Sequence, residues 1–140
     1  MRNKRLHRWL ALVVCVVSAP AYGLLPIQHW QTGNGAQVYF VANRDLPMLD
    51  VSVDFPAGSA FDTREKSGLA ALTQSLLKLG AGGLSEDEIA RRMADVGAQL
   101  GGRFDSDRAG LSLRTQSSAE EIKEALGLLA RILQRPEFPP

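Results

Sequence analysis

The chain has 140 residues, 45% hydrophobic and 22% charged, with one Cys, two His and a formal net charge of +1. That length fits one domain or a large piece of one, and the composition excludes a disordered tail or a collagen-like fibre. One Cys excludes a disulfide framework and a four-Cys zinc site, and a near-neutral balance gives no basis for a nucleic-acid partner.

Residues 1–23 read as a secretory signal. Arg2, Lys4, Arg5 and Arg8 form a basic start, Trp9 to Val17 an apolar run, and Ser18 to Gly23 a small, turn-prone cleavage region. Cleavage is expected after Ala21 or Gly23. The nine-residue run is far short of the ~20 residues that span a bilayer, so no stable membrane anchor is expected after cleavage. Removing the signal leaves 117 residues with 12 Lys/Arg against 15 Asp/Glu, a balance of −3. Cys15 and His7 leave with it, so His29 is the one remaining His. Export, with the periplasm as compartment, is the expected localisation.

In chain order, Gly33-Asn34-Gly35 is a turn signal and Gln37 to Val41 a strand. Asn43 to Pro47 is a polar turn. Met48 to Phe55 alternates, with Leu49, Val51, Val53 and Phe55 on one side and Asp50, Ser52 and Asp54 on the other. Pro56-Ala57-Gly58-Ser59 ends that strand. A helix is predicted from Glu65 to Leu79, with Leu69, Leu72, Leu76 and Leu79 along one face and Gly80 as its C-terminal cap. Gly82-Gly83 reads as a flexible loop.

Ser85 to Glu88 is a capping box that opens a second helix, with Ile89, Met93 and Val96 as its stripe and Gly97 as its stop. Ala98 to Phe104 and Ala109 to Thr115 are strands joined by a hairpin at Asp105-Ser106-Asp107. A second capping box, Ser118 to Glu121, starts a helix whose stripe is Ile122, Ala125, Leu126, Leu129, Ile132 and Leu133; Pro136 ends it. The order β-β-α-α-β-β-α predicts an α+β fold, a mixed or antiparallel sheet packed on helices. The Pro-rich ending leads us to expect an incomplete domain. The segment alone should be marginal, with unpaired, aggregation-prone strand edges.

Few residues offer chemistry. The Gly80–Gly83 run lacks a phosphate loop's Gly-Lys-Ser/Thr ending and follows a helix. Asp105 and Asp107 read as turn formers, His29 as a surface residue, and Arg91-Arg92 as a helix-surface pair. A thiol enzyme is excluded after cleavage, and a Ser–His hydrolase would have to use His29 without a nucleophile elbow.

Ser67-Gly68-Leu69-Ala70, after a strand and the Pro-Ala-Gly-Ser turn, resembles the pitrilysin/insulinase family of zinc peptidases. There the helix carries Gly-Leu-Ala-His-x-x-Glu-His. Asn34-Gly35, Gly80, Gly97-Ala98 and Arg135-Pro136-Glu137-Phe138-Pro139 are similar to family features in the same order, so the resemblance runs from about residue 31 onward. Two His at i and i+4 can bind one zinc, and the Glu before the second can activate its water. The resemblance implies a third ligand, a Glu from a later helix, which would lie beyond Pro140.

Here Ala71, Gln74 and Ser75 occupy those positions. The family's catalytic and metal residues therefore carry over to no position, and no cofactor is expected. What the resemblance implies is an exported noncatalytic homologue that pairs with an active zinc peptidase subunit and helps form a chamber for a peptide or protein substrate. The alternatives are part of a longer active zinc endopeptidase whose metal site lies outside residues 1–140, or an unrelated exported binding module.

Overall fold

A computed structural model describes residues 25–138, and the expected signal with both cleavage positions lies outside them. The chain divides into two compact units between Arg44 and Asp45, so the expected portion 24–140 spans both. Among the described residues, no helix is long and apolar enough to cross a membrane.

The first unit contains a hairpin of β1 (Ile27–Gln31) and β2 (Gln37–Val41), with Ile27 opposite Val41 and His29 opposite Tyr39. β2 lies where the pattern placed it. β1 was not expected, because polar Gln28, His29 and Gln31 interrupt its alternation. Its pairing comes from the turn, where Gly35 at φ 90° donates its N–H to the Thr32 carbonyl at 2.9 Å. His29 is exposed, as expected, and its ring stacks on Tyr39 with centroids 4.5 Å apart.

The second unit contains a three-stranded antiparallel sheet with helices on one face and a separate two-stranded pairing. β3 (Met48–Phe55) pairs antiparallel with β7 (Ala109–Gln116), which pairs antiparallel with β6 (Gln99–Phe104). Because strand side chains alternate, the register stacks matching residues into rows. Val51–Leu113–Leu100 and Val53–Leu111–Gly102 face the helices; Asp50–Arg114–Gln99 and Ser52–Ser112–Gly101 face away. Leu111 and Leu113, predicted inward, are completely buried.

Three helices cover the apolar rows: α1 (Leu69–Leu76), α2 (Glu86–Asp95) and α3 (Ala119–Gln134). α2 forms as its sequence dictates. Ser85 Oγ accepts from the Glu88 N–H, the Glu88 carboxylate accepts from the Ser85 N–H, and Ile89 and Met93 are buried. At α3, Ser118 Oγ accepts from the Glu121 N–H at 3.4 Å, but Glu121 Oε2 is buried without a partner. The second capping box is therefore half formed. α3 buries Ala125, Leu128, Leu129 and Ile132, of which Leu128 lies outside the predicted stripe.

Two expectations change around α1. The predicted helix 65–79 is shorter: Arg64–Lys66 is a 3-10 turn, and α1 proper spans eight residues. Gly80 is not its cap, and Gly82-Gly83 is not a loose loop. Gly80-Ala81 (β4) pairs with Leu84-Ser85 (β5), and Ala81, fully buried, bridges to Pro136. The two glycines take the positive φ values of the tight turn between them, 55° and 81°. Burial of Ala81 beside α3 decides this, and no local pattern announces it.

Candidate functional site

The site is built around α1. Its start is held by a residue the sequence reading missed. Asp62 accepts from the Gly68 N–H at 2.8 Å and the Ala70 N–H at 3.0 Å, one bond to each carboxylate oxygen. These are helix-terminal donors with no partner inside the helix. A capping side chain normally sits two or three residues away, whereas Asp62 reaches across the intervening 3-10 turn, so no local motif marks it.

The helix faces are not those predicted. Leu69 and Leu72 are 48% and 55% exposed, while Gln74 is only 7% exposed. Gln74 Nε2 donates to the Gly110 carbonyl on β7 at 2.7 Å, and Gln74 Oε1 is buried with no donor. Ala71 and Ser75, one helical turn apart, are both exposed. Ser75 Oγ donates to its own helix, at the Leu72 carbonyl, 2.8 Å away. The structure thus keeps positions 71 and 75 together at the surface and turns position 74 into the sheet. Among the described residues, no group of three or more His, Cys, Asp or Glu could hold a metal ion.

Two concavities flank this region. One, of about 370 Å³, lies between α1 and the end of the sheet; it is mostly apolar, lined by Phe55, Phe61, Leu69, Leu77 and Leu133, with Gln74 in its wall. The other, of about 430 Å³, lies on the far face of the sheet and is mixed in character, with Asp50, Ser52, Gln99, Ser112 and Arg114 beside Val51 and Leu100. The Arg114 guanidinium hydrogen-bonded to Asp50 holds that carboxyl below the usual carboxylate range. Asp105 is lowered too, because the Asp107 and Arg108 N–H groups both donate to it, which bears out the turn-forming role predicted for it.

An antiparallel sheet with all its helices on one side, entered by a Gly-Leu-Ala helix after a Gly-Ser turn, is the peptidase-type α+β domain that the sequence predicted. The chain belongs to the insulinase family, peptidase family M16, whose model matches residues 39–140. A crystal structure described as the inactive domain of peptidase M16 from Pseudomonas fluorescens is 38% identical, with a TM-score of 0.79. That match covers 82% of this chain and 28% of the other. A protease from Helicobacter pylori has the same fold at 20% identity and TM-score 0.73, over 83% of this chain and 27% of that one. The chain therefore spans little more than a quarter of these structures. No curated protein matches it.

Proposed function

We propose that this chain is an exported, noncatalytic member of the insulinase family that pairs with an active zinc peptidase and contributes to the surface holding its peptide substrate. The observation that carries this reading is the chemistry of α1. Ala71 has no donor atom, Ser75 spends its hydroxyl on Leu72, and Gln74 points into the sheet. The Pseudomonas fluorescens neighbour, described as an inactive domain, supports it. For peptide binding the support is geometric: among the described residues β3 and β6 each pair only with β7. An extended segment can add to such an edge through main-chain hydrogen bonds.

The test is zinc analysis and peptidase assay of the purified chain, alone and with a coexpressed active family member. No tightly bound zinc, no activity alone, and a stable complex with the partner are expected. Zinc near one per chain together with hydrolysis by the chain alone would overturn the reading. Export is tested by cell fractionation and sequencing of the mature N-terminus.

The short span relative to both neighbours favours one second reading, a segment of a longer zinc endopeptidase whose metal site lies elsewhere. An open frame continuing past Pro140 into a His-x-x-Glu-His helix would favour it.

A further inference from the structure

We propose that Gln74 is a helix-to-sheet tie that commits α1 to a noncatalytic geometry, so that replacing it with Glu would not recover a water-activating carboxylate. The meaning of position 74 rests on the noncatalytic reading above, but the tie itself stands on contacts alone.

Gln74 lies 36 residues from Gly110, and its amide joins the two elements through Nε2. The site is shaped for that amide. A Cβ at Gly102, on β6, would stand 3.0 Å from Nε2, so glycine there leaves room for the side chain to lie flat on the sheet. A Cβ at Gly110 would meet the Val53 carbonyl and Asp54 on the outward side, so glycine there serves the close pairing of β7 with β3 and leaves its carbonyl free to accept from Gln74.

An ionised carboxylate has no proton to donate. At position 74 it would set an oxygen against the Gly110 carbonyl. Of the charged groups nearby, Asp62 is itself acidic and has both oxygens engaged by Gly68 and Ala70. Asp54 lies on the outward face of the sheet, paired with Arg103 at 3.4 Å. No residue lining the cavity is a cation that could hold a Glu ionised, and Lys78, four residues on, lines a different hollow with Glu86, Ile89 and Met93. A Glu at 74 must therefore stay protonated, or leave the sheet and loosen the helix.

The experiment is denaturant unfolding of the whole chain from pH 4 to pH 7.5, comparing Gln74→Glu and Gln74→Met with the wild type at each pH. A buried Glu has its carboxyl raised in the folded state, so its stability is present at acid pH and lost as pH rises through that folded value. Gln74→Glu should fall progressively behind the wild type with rising pH, by about tenfold or more in the folding equilibrium at pH 7.5. Gln74→Met should lag by a constant amount. A Gln74→Glu variant that tracks the wild type at every pH, or a Gln74→Met variant as stable as the wild type, overturns the tie. Should both variants fail to fold, the wild type still decides: the Gln74 side-chain NH₂ protons should exchange slowly, and rapid exchange overturns the tie. Hydrolysis by the wild-type chain would sink the noncatalytic reading and leave these results untouched.

Discussion

Arg114 grips Asp50 with two hydrogen bonds, Nε to Oδ1 at 2.6 Å and Nη2 to Oδ2 at 3.0 Å, across 64 residues of chain. The register of β3 on β7 sets the two residues directly opposite one another, and the alternation of both strands turns them to the outward face. Both side chains are more than half exposed, and exposed ion pairs contribute little to stability.

The measurable consequence lies at acid pH. Asp50, Glu88 and Asp105 all have carboxyls lowered in the folded protein, by Arg114, by the Ser85 N–H and by the Asp107 N–H respectively. A lowered folded value means that the stability is present above the unfolded value and lost as pH falls through the folded one. Unfolding midpoints should therefore hold steady from neutral pH to the ordinary carboxylate range, about pH 4, and drop below it. Asp50→Asn should flatten that drop while changing little at pH 7. An unchanged acid limb would show that the pair does not contribute to it.

Asp62→Ala leaves the Gly68 and Ala70 N–H groups without their acceptor at the start of α1. Loss of a helix N-terminal acceptor costs about 1–2 kcal/mol. Chemical denaturation should show a loss of that size, and amide exchange should show it concentrated in α1. Asp62→Asn, which keeps one oxygen, should lose less.

Thr115 is 1% exposed and its hydroxyl has no partner. Valine has nearly the same shape without the unsatisfied group. Thr115→Val should be neutral or stabilising by up to about 1 kcal/mol, because an unpaired buried polar group carries its desolvation cost with no return. Destabilisation by more than that amount in thermal and denaturant unfolding would mean that the hydroxyl has a partner.

Ala71 and Ser75 are exposed and four residues apart on α1, the spacing at which two imidazoles share a metal. Ala71→His combined with Ser75→His should bind about one zinc per chain by isothermal titration, more tightly as pH rises through the His range, since only neutral imidazole ligates. Either single variant should bind much more weakly. No binding by the double variant would argue that the motif is aligned wrongly on this helix.

Much of the scaffold was legible in the chain. The alternation in 48–55 and 109–115, the Ser85–Glu88 box and the α3 stripe are local signals, and each produced the element it predicted. β1 and the β4–β5 hairpin were not legible, because their pairing depends on partners rather than on periodicity. At the candidate site, the identities of Ala71, Gln74 and Ser75 were plain, but their orientations were not. The leucine spacing suggested that Leu69 and Leu72 face the core, yet α1 rotates them outward and buries Gln74. Periodicity identifies an apolar stripe; it does not say which face the sheet has room for.

The sequence alone, by its count of imidazoles and by three residue identities in one helix, determined what the motif positions can offer a metal. It also determined the Ser85 and Ser118 caps of α2 and α3 and the inward faces of β3 and β7, because those depend on neighbours a few residues away. Only the tertiary structure decided that Gln74 is tied to Gly110, that Asp62 caps α1 across a 3-10 turn, and that Arg114 meets Asp50. Those contacts join residues that chain entropy would otherwise keep apart. The Arg114–Asp50 pair follows from the register of β3 on β7, fixed by the burial of Leu111 and Leu113, and the Gln74–Gly110 bond from the packing of α1 on β7.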